Sequence, residues 1–269
     1  MTLTRLLAIA LLSLLMSAGL FAQTISRRVA IETSLGTIVV GLYDETPVHR
    51  DNFLKLASQG YYDGVLFHRV IAGFMIQAGD PNSRNAPKER LLGDGGPDYT
   101  LPAEFSDSLI HKRGALAAAR EGDASNPQRR SSGSQFYIVW GRKFSFNQLG
   151  NMLKRWHQQR CQALFDSLTR AHDDDFKRLL SNADSAAVNQ LAFSLSQQVQ
   201  QRYPQPDRFS KKQQVAYTQI GGSPHLDGAY TVFGEVLQGL EIVEKIQASP
   251  VDGNNRPLDD VVISKVSCL

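Results

Sequence analysis

Cysteine, a residue that binds metals and carries redox chemistry, is scarce in this sequence. Among 269 residues there are only two cysteines, Cys161 and Cys268, and neither has further ligands at the spacing of a zinc site. We therefore expect no metal and no cofactor. An oxidising compartment would permit a disulfide between the two cysteines, but we favour the interpretation that they are two separate buried thiols.

The chain also lacks an excess of charge of either sign. Its formal net charge is +3. Arg5 is the only charged residue among the first 22, so the chain from residue 23 onward carries +2. A charge so close to zero does not favour nucleic acid as a partner, and we expect none.

Long apolar runs are absent apart from the one at the N-terminus. Arg5 precedes the apolar residues 6–12, and small residues follow at 17–19. A membrane anchor needs about 20 mainly apolar residues, and this run is shorter and interrupted by serines. We interpret residues 1–22 as a signal peptide cleaved after Ala22. We expect export to the periplasm or cell envelope, with secretion as the alternative, and no stable membrane insertion after cleavage.

The most informative stretch runs from Phe67 to Pro81, with the sequence FHRVIAGFMIQAGDP. Its apolar residues favour β-strands, yet the strong hydrogen-bonding side chains of His68, Arg69 and Gln77 lie among them. An arginine is rarely placed on an apolar surface without a partner. The missing partner could be a ligand.

The alternation of side chains along a strand places three of these residues on one face. Arg69, Met75 and Gln77 are separated by even numbers of residues, so in a regular strand their side chains point to the same face. A bend at Gly73 can bring Phe74 to that face as well. The sequence thus predicts a guanidinium and a carboxamide beside two large apolar groups.

The segments before this stretch predict a hairpin and a helix. Residues 28–33 and 37–42 are β-type runs separated by a turn that contains Gly36. Thr46 followed by Pro47 is typical of the start of a helix.

The stretch F-H-R-x-x-x-G-F-M-x-Q-x-G-D closely resembles the signature of the cyclophilins, the cyclosporin-type peptidyl-prolyl cis-trans isomerases. Further matches lie at residues 93–105, 114–120 with 132–139, and 220–236. The resemblance implies a mainly β fold, a closed eight-stranded antiparallel barrel capped by two helices, with the substrate bound on its outer wall.

The resemblance also implies the roles of individual residues. Arg69 matches the catalytic residue. The positions that match substrate-binding residues are Phe74, Met75, Gln77, Ala119, Arg120, Gln135, Tyr137, His225, Leu226 and Tyr230. His225 replaces the tryptophan of cyclosporin-sensitive members, which implies weaker cyclosporin binding without loss of catalysis, and Tyr230 replaces a pocket histidine.

A helical segment interrupts the resemblance. Apolar residues recur at three- and four-residue spacings after Trp140, and Ser145 with Gln148 forms a possible capping box. We expect a signal peptide at 1–22, barrel segments at 23–144 and 218–269, and a helical insertion at 145–217. The simplest interpretation of the insertion is a small helical hairpin.

The resemblance implies an isomerase that accelerates rotation about X–Pro bonds during the folding of exported proteins. Its partners would be proline-containing unfolded or extended polypeptides, and we expect a monomer. Rotation needs no proton transfer, so we favour a structural role for His68, hydrogen-bonded within the barrel wall. The alternative function is a cyclophilin-like binding module or holdase chaperone that acts through the helical insertion.

Overall fold

The computed structural model describes residues 23–269 of the chain. The predicted signal peptide at residues 1–22 lies outside the described residues. Within the described part, no helix is both long enough and apolar enough to cross a membrane. The described chain divides into two compact units, one made of residues 23–143 and 215–269 and the other of Phe144–Gln214.

The first unit is built on an eight-stranded antiparallel sheet. The strands of this sheet are β1 (Ile25–Thr33), β2 (Gly36–Tyr43), β3 (Arg69–Ile71), β4 (Met75–Ala78), β6 (Ala115–Ala118), β8 (Phe136–Val139), β9 (Val232–Gln238) and β10 (Ile263–Cys268). Their order in the sheet is β10-β1-β2-β9-β6-β8-β4-β3. Two short strands, β5 (Thr100–Leu101) and β7 (Ser131–Ser132), form a separate pair. The predicted hairpin is β1–β2, which pair from end to end.

The expectation of a closed barrel is wrong. Strands β3 and β10 are the two edges of the sheet, and no ladder joins them among the described residues. The segment before β3 meets the segment before β10 only through the isolated bridge between Leu66 and Val262 and a few backbone hydrogen bonds, such as Phe67 N–H to Val261 O at 2.9 Å. Because β3 has only three residues, it is too short to continue this contact as a ladder. The sheet is therefore a curled, open barrel.

Two helices pack on the core of this unit. Helix α1 (Pro47–Ser58) contributes Phe53 and Leu56, and helix α6 (Leu240–Gln247) contributes Val243 and Ile246. All four side chains are buried together with the inward residues of the sheet. The apolar positions that the sequence offers in these helices thus face one shared core.

Helix α1 begins at Pro47, as predicted, but its capping differs from the prediction. The hydroxyl of Thr46 makes no capping hydrogen bond. Instead, the two carboxylate oxygens of Glu104 accept the backbone N–H groups of Val48 and His49, at 3.1 and 3.0 Å. An acidic group at a helix N-terminus is favourable. Since Glu104 lies 55 residues from His49 in the sequence, local sequence patterns do not show it.

The second unit consists mainly of helices: α2 (Phe146–Ala171), α3 (Asp173–Ser181), α4 (Ser185–Arg202) and the start of α5 (Lys211–Val215). The predicted capping box at Ser145 and Gln148 is present. The prediction of a hairpin is incomplete, because the chain turns twice and forms three longer helices. The apolar residues Phe176, Leu179 and Leu180 lie in a helix of their own, α3.

Neither cysteine is in a disulfide. Cys161 is half-buried in α2, and Cys268 is exposed at the end of β10. Burial was expected for both thiols, and for Cys268 this expectation is wrong. The C-terminal strand pairs with β1 on one side only, which leaves its last residues open to solvent.

Candidate active site

The segment from Phe67 to Pro81 forms strands β3 and β4, joined by a tight turn. Arg69 lies directly opposite Gln77 in their antiparallel register. Gly73 has a φ of +70° in the turn, a conformation that glycine adopts without steric cost. The predicted bend is therefore at Gly73, and it brings Arg69 and Gln77 side by side on neighbouring strands.

The guanidinium of Arg69 is exposed and is held by an amide rather than by a carboxylate. Its Nη1 donates to Oε1 of Gln77 at 3.1 Å. Within residues 23–269 it forms no ion pair. Gln77 in turn donates to Oε1 of Gln135 at 2.9 Å, and Gln135 donates to the backbone oxygens of Gly93 and Gly95. A chain of amides thus orients Arg69 and leaves its positive charge uncompensated.

A pocket of about 350 Å³ opens beside Arg69. Its deepest walls are Met75, Tyr137 and Leu226, each less than a tenth exposed. Eight of the ten predicted substrate-binding residues line it, namely Phe74, Met75, Gln77, Ala119, Arg120, Tyr137, Leu226 and Tyr230. His68, Leu92 and Gly93 complete the lining.

The two remaining predicted residues lie next to this pocket. Gln135 lines a second depression of about 410 Å³, which shares Gln77, Ala119 and Arg120 with the first. The ring of His225 lies 5.4 Å from the ring of Phe74, measured between centroids. The structure therefore brings all eleven predicted site residues to one face of the first unit.

The chemistry that this site offers is electrostatic. It combines one uncompensated donor cation with an apolar slot large enough for a small ring. The described residues contain no group of three or more histidine, cysteine or acidic side chains that could hold a metal ion.

Comparison with known proteins assigns the family. The family model described as cyclophilin type peptidyl-prolyl cis-trans isomerase/CLD matches residues 28–154 and 190–268, which is more than half of the chain. The chain belongs to the cyclophilin-type peptidyl-prolyl cis-trans isomerases. It is thus an isomerase by family, as the signature around Arg69 implied.

Curated relatives agree with this assignment. A candidate peptidyl-prolyl cis-trans isomerase of Staphylococcus haemolyticus is 30% identical over 240 residues, which cover 89% of each chain. A similar protein of Staphylococcus aureus is 30% identical over 242 residues, covering 89% of this chain and 90% of the relative. These alignments are longer than the cyclophilin unit alone, so the relatives also have residues that align within the helical segment.

One relative is a larger protein. A candidate bifunctional phosphatase/peptidyl-prolyl cis-trans isomerase of Streptococcus pyogenes is 29% identical over 242 residues. The alignment covers 89% of this chain but only 38% of that relative. The chain thus spans less than half of the length of that protein.

Solved structures agree on the fold. The crystal structure of a cyclophilin-type isomerase from Cryptosporidium parvum matches with a TM-score of 0.52 at 20% identity. The match covers 90% of this chain and 97% of that one. At 20% identity the similarity supports the mainly β cyclophilin fold alone.

The side chain of Arg120 in this cyclophilin makes two contacts at the pocket wall. Its Nε donates to the backbone oxygen of Ala229 at 2.7 Å, and its guanidinium lies 4.5 Å from the centre of the Tyr230 ring. Such a cation–π contact is typically favourable. The side chain of Arg120 therefore fixes Tyr230, the residue that replaces the pocket histidine.

His68 is buried, as predicted for a structural residue, but it is not hydrogen-bonded as expected. It is 3% exposed, and among the described residues neither ring nitrogen has a partner of hydrogen-bonding geometry. Burial lowers the pKa of His68 to about 4, because the charged imidazolium loses its hydration. A histidine that is neutral at pH 7 leaves Arg69 and Arg120 as the cations of this pocket, and Arg120 is paired with Asp123.

Sequence reasoning missed part of the second depression. Its lining includes Tyr99, Thr100, Glu121, Asn126 and Arg130. Apart from Thr100 in the two-residue strand β5, these residues lie in irregular segments. In such segments no periodic spacing of apolar residues shows which side chains face the same side. Only the folded chain brings the two segments together, through the pairing of β5 with β7.

Proposed function

We propose that this cyclophilin binds the ring of an X–Pro segment in the 350 Å³ pocket and stabilises the twisted amide with Arg69. The observation that carries the proposal is the position of the Arg69 guanidinium. It lines the pocket and donates to Gln77, and among residues 23–269 no carboxylate forms an ion pair with it. Phe74, Met75 and Leu226 would hold the ring on the apolar side.

The reaction needs no bond cleavage, only rotation about a partial double bond. The barrier is about 18–20 kcal/mol, and spontaneous exchange takes tens to hundreds of seconds. In the twisted state the prolyl nitrogen recovers a lone pair that can accept a hydrogen bond. A donor aimed at that nitrogen binds the twisted state more tightly than either planar isomer, which is the requirement for catalysis.

Arginine suits this role on two physical grounds. A guanidinium is a permanently charged group with a planar fork of N–H donors, and the amide chain from Gln135 through Gln77 keeps it in place without a neutralising charge. Bringing a step of tens of seconds to milliseconds means a factor of about 10⁴, or about 5.5 kcal/mol. A charge-assisted hydrogen bond in a partly desolvated pocket, together with immobilisation of the ring, can supply that amount.

The peptide on either side of the proline would run past Gln77 and the backbone at Ala119 and Arg120, which line both depressions. A proline-containing ligand is consistent with a related crystal structure. The Cryptosporidium parvum isomerase was crystallised in the presence of the dipeptide Ala-Pro.

A protease-free isomerisation assay tests the proposed function. Purified protein is added to a proline peptide whose cis and trans forms differ in NMR or fluorescence signal, and the exchange rate is measured against enzyme concentration. Acceleration that is proportional to enzyme and lost in Arg69→Ala supports the mechanism. Acceleration of equal size in both proteins would contradict it.

We also propose that the clients are exported proteins. The support is the pattern of residues 1–22, a single arginine followed by an apolar run and small residues. Fractionation of cells that produce the full chain tests this. A protein that starts at Gln23 in the periplasmic, envelope or secreted fraction supports export, whereas an unprocessed protein in the cytosol contradicts it.

A second candidate function is a holdase acting through the helical unit. Three large apolar side chains of that unit are mostly exposed: Phe146 at 67%, Leu180 at 64% and Phe193 at 63%. A contiguous patch of such side chains would be typical of a surface that binds other chains.

Substitution of these three residues by serine separates the two functions. Under the holdase hypothesis we expect the triple variant to lose suppression of client aggregation while keeping the wild-type rate on a short proline peptide. A matched control replaces the exposed Gln159, Gln190 and Gln198 by serine. Equal suppression by wild type, variant and control would rule out the holdase function.

A further inference from the structure

A chain of polar side chains, all buried except for the partly exposed Asp227, leads from the wall of the proline pocket into the protein. Tyr137 lines the pocket, and its hydroxyl is 3.0 Å from Nε2 of His111. Nδ1 of His111 is 3.0 Å from Oδ1 of Asp227. The other oxygen of Asp227 accepts from the hydroxyl of Tyr217 at 2.5 Å. We call Tyr217, Asp227, His111 and Tyr137 the polar relay.

The members of the relay are held tightly. His111 and Tyr217 are completely buried, and Tyr137 is 5% exposed. The rings of His111 and Tyr137 are nearly parallel, with 14° between their planes, and Tyr230 meets both rings edge-on. A buried polar network that is fully hydrogen-bonded rigidifies its surroundings.

His111 also connects two separate walls of the pocket. Its backbone N–H donates to Oδ1 of Asp227 at 2.9 Å, and its carbonyl accepts from the backbone of Ser223 at 2.8 Å. Asp227 directly follows Leu226, which also lines the pocket. His111 therefore contacts the side chain of Tyr137 and the backbone of the loop that carries Leu226.

We propose that His111 is a positioning residue of the isomerase, which sets the separation between Tyr137 and Leu226 through the polar relay. The proposal rests on the proposed function in that these two residues bind the proline ring. The tautomer follows from the contacts: with Nδ1–H donating to Asp227, Nε2 accepts the proton of the Tyr137 hydroxyl. Each link then has one donor and one acceptor.

A positioning role predicts a change in substrate binding rather than in the chemical step. If Tyr137 or Leu226 is displaced, the pocket binds the proline ring less tightly whether the amide is planar or twisted. KM therefore rises and kcat stays nearly unchanged. For His111→Phe we expect a rise in KM and in the dissociation constant of a proline peptide of about threefold to tenfold, within the range measured for coupled buried neighbours.

The experiment is a double-mutant cycle of Tyr137→Phe and His111→Phe, measured by KM, kcat and peptide affinity. Both substitutions break the same link, so we expect the double variant to bind no more weakly than His111→Phe alone. His111→Gln, which can still hydrogen-bond to Asp227 and Tyr137, should recover part of the affinity. Effects that multiply independently, or a loss of thermal stability with KM unchanged, would overturn the proposal.

If His111→Phe does not fold, Tyr217→Phe provides a second test of the polar relay. It removes the donor to the far oxygen of Asp227 and should raise KM in the same direction by a smaller factor. Tyr62→Phe is the matched control, since it removes another buried tyrosine hydroxyl, bonded to the Ser134 backbone, outside the pocket. A rise in KM for the control equal to that for Tyr217→Phe would contradict the relay.

Failure of the proposed function is distinguishable from failure of the relay. If Arg69→Ala isomerises peptides at the wild-type rate, the catalytic role of Arg69 is wrong. The relay is then judged on the peptide dissociation constant alone, which does not depend on Arg69 chemistry. Unchanged affinity in His111→Phe and Tyr217→Phe would overturn it.

Discussion

Replacing Arg69 by alanine is expected to lower kcat/KM for a proline peptide by about 100- to 1000-fold, the cost of removing one preorganised donor from a site that stabilises developing charge. The loss should lie mainly in kcat, because the guanidinium interacts with the lone pair of the twisted amide and not with either planar isomer. The fold should be unaffected, since the Arg69 side chain is exposed and its one hydrogen bond is to Gln77.

Two further variants make the Arg69 result specific. Arg28→Ala removes an exposed arginine from β1, outside both depressions, and should keep wild-type activity. Arg69→Lys keeps the charge but loses the planar fork of donors, and we expect an activity between those of wild type and alanine. Equal kcat/KM values for Arg69→Ala and Arg28→Ala would show that Arg69 has no catalytic role.

Acidification should destabilise the protein through His68 while leaving the chemistry unaffected. Burial lowers the pKa of His68 to about 4 in the folded state, whereas the unfolded chain has a value of about 6.5. Above pH 6.5 the imidazole is mostly neutral in both the folded and the unfolded state, so it does not change the free energy of unfolding. As the pH falls from 6.5 towards 4, the unfolded state takes up a proton that the folded state cannot, and stability is lost.

The expected size of this loss is about 2 to 3 kcal/mol at pH 4.5 relative to pH 7.5, from about 1.4 kcal/mol for each unit between the two pKa values. Urea denaturation of wild type and His68→Gln at both pH values measures it. His49, whose pKa burial also lowers, is present in both proteins. The difference between their pH dependences therefore reports His68, and identical dependences would show that His68 is not held neutral.

The rate of isomerisation should not follow this titration. No step transfers a proton, Arg69 keeps its charge, and His68 is already neutral near pH 7. We expect kcat, which the role proposed for His111 leaves nearly unchanged, to be nearly constant between pH 6 and 8. A sigmoid profile with a midpoint in that range would mean that a histidine takes part, contrary to the mechanism proposed for Arg69.

The local chemistry of the site could be predicted from the sequence because it lies in short, contiguous segments. The run from Phe67 to Pro81 contains both strands, the glycine turn and the polar side chains of His68, Arg69 and Gln77. Period-2 alternation and the need for positive φ at Gly73 are local constraints. The hairpin β1–β2, the start of α1 and the capping box at Ser145 were predictable for the same reason.

Long-range contacts were not predictable in this way. Glu104 caps α1 from 55 residues away, the open edge between β3 and β10 depends on how far the sheet curls, and His111 meets Asp227 across 116 residues. The lack of a hydrogen bond to His68 is likewise a property of the packed interior. The spacing of apolar residues along the chain does not show which distant residues will come into contact.

The amino-acid sequence by itself determined the donor and one wall of the pocket, because Arg69, Phe74, Met75 and Gln77 belong to one hairpin whose register follows from alternation and a single glycine. Tertiary structure decided what that donor can do. The curled sheet brings Tyr137 and Leu226 to Arg69 and leaves its charge without a carboxylate. Burial and charge compensation depend on the whole fold, since they are set by every segment that packs around a group.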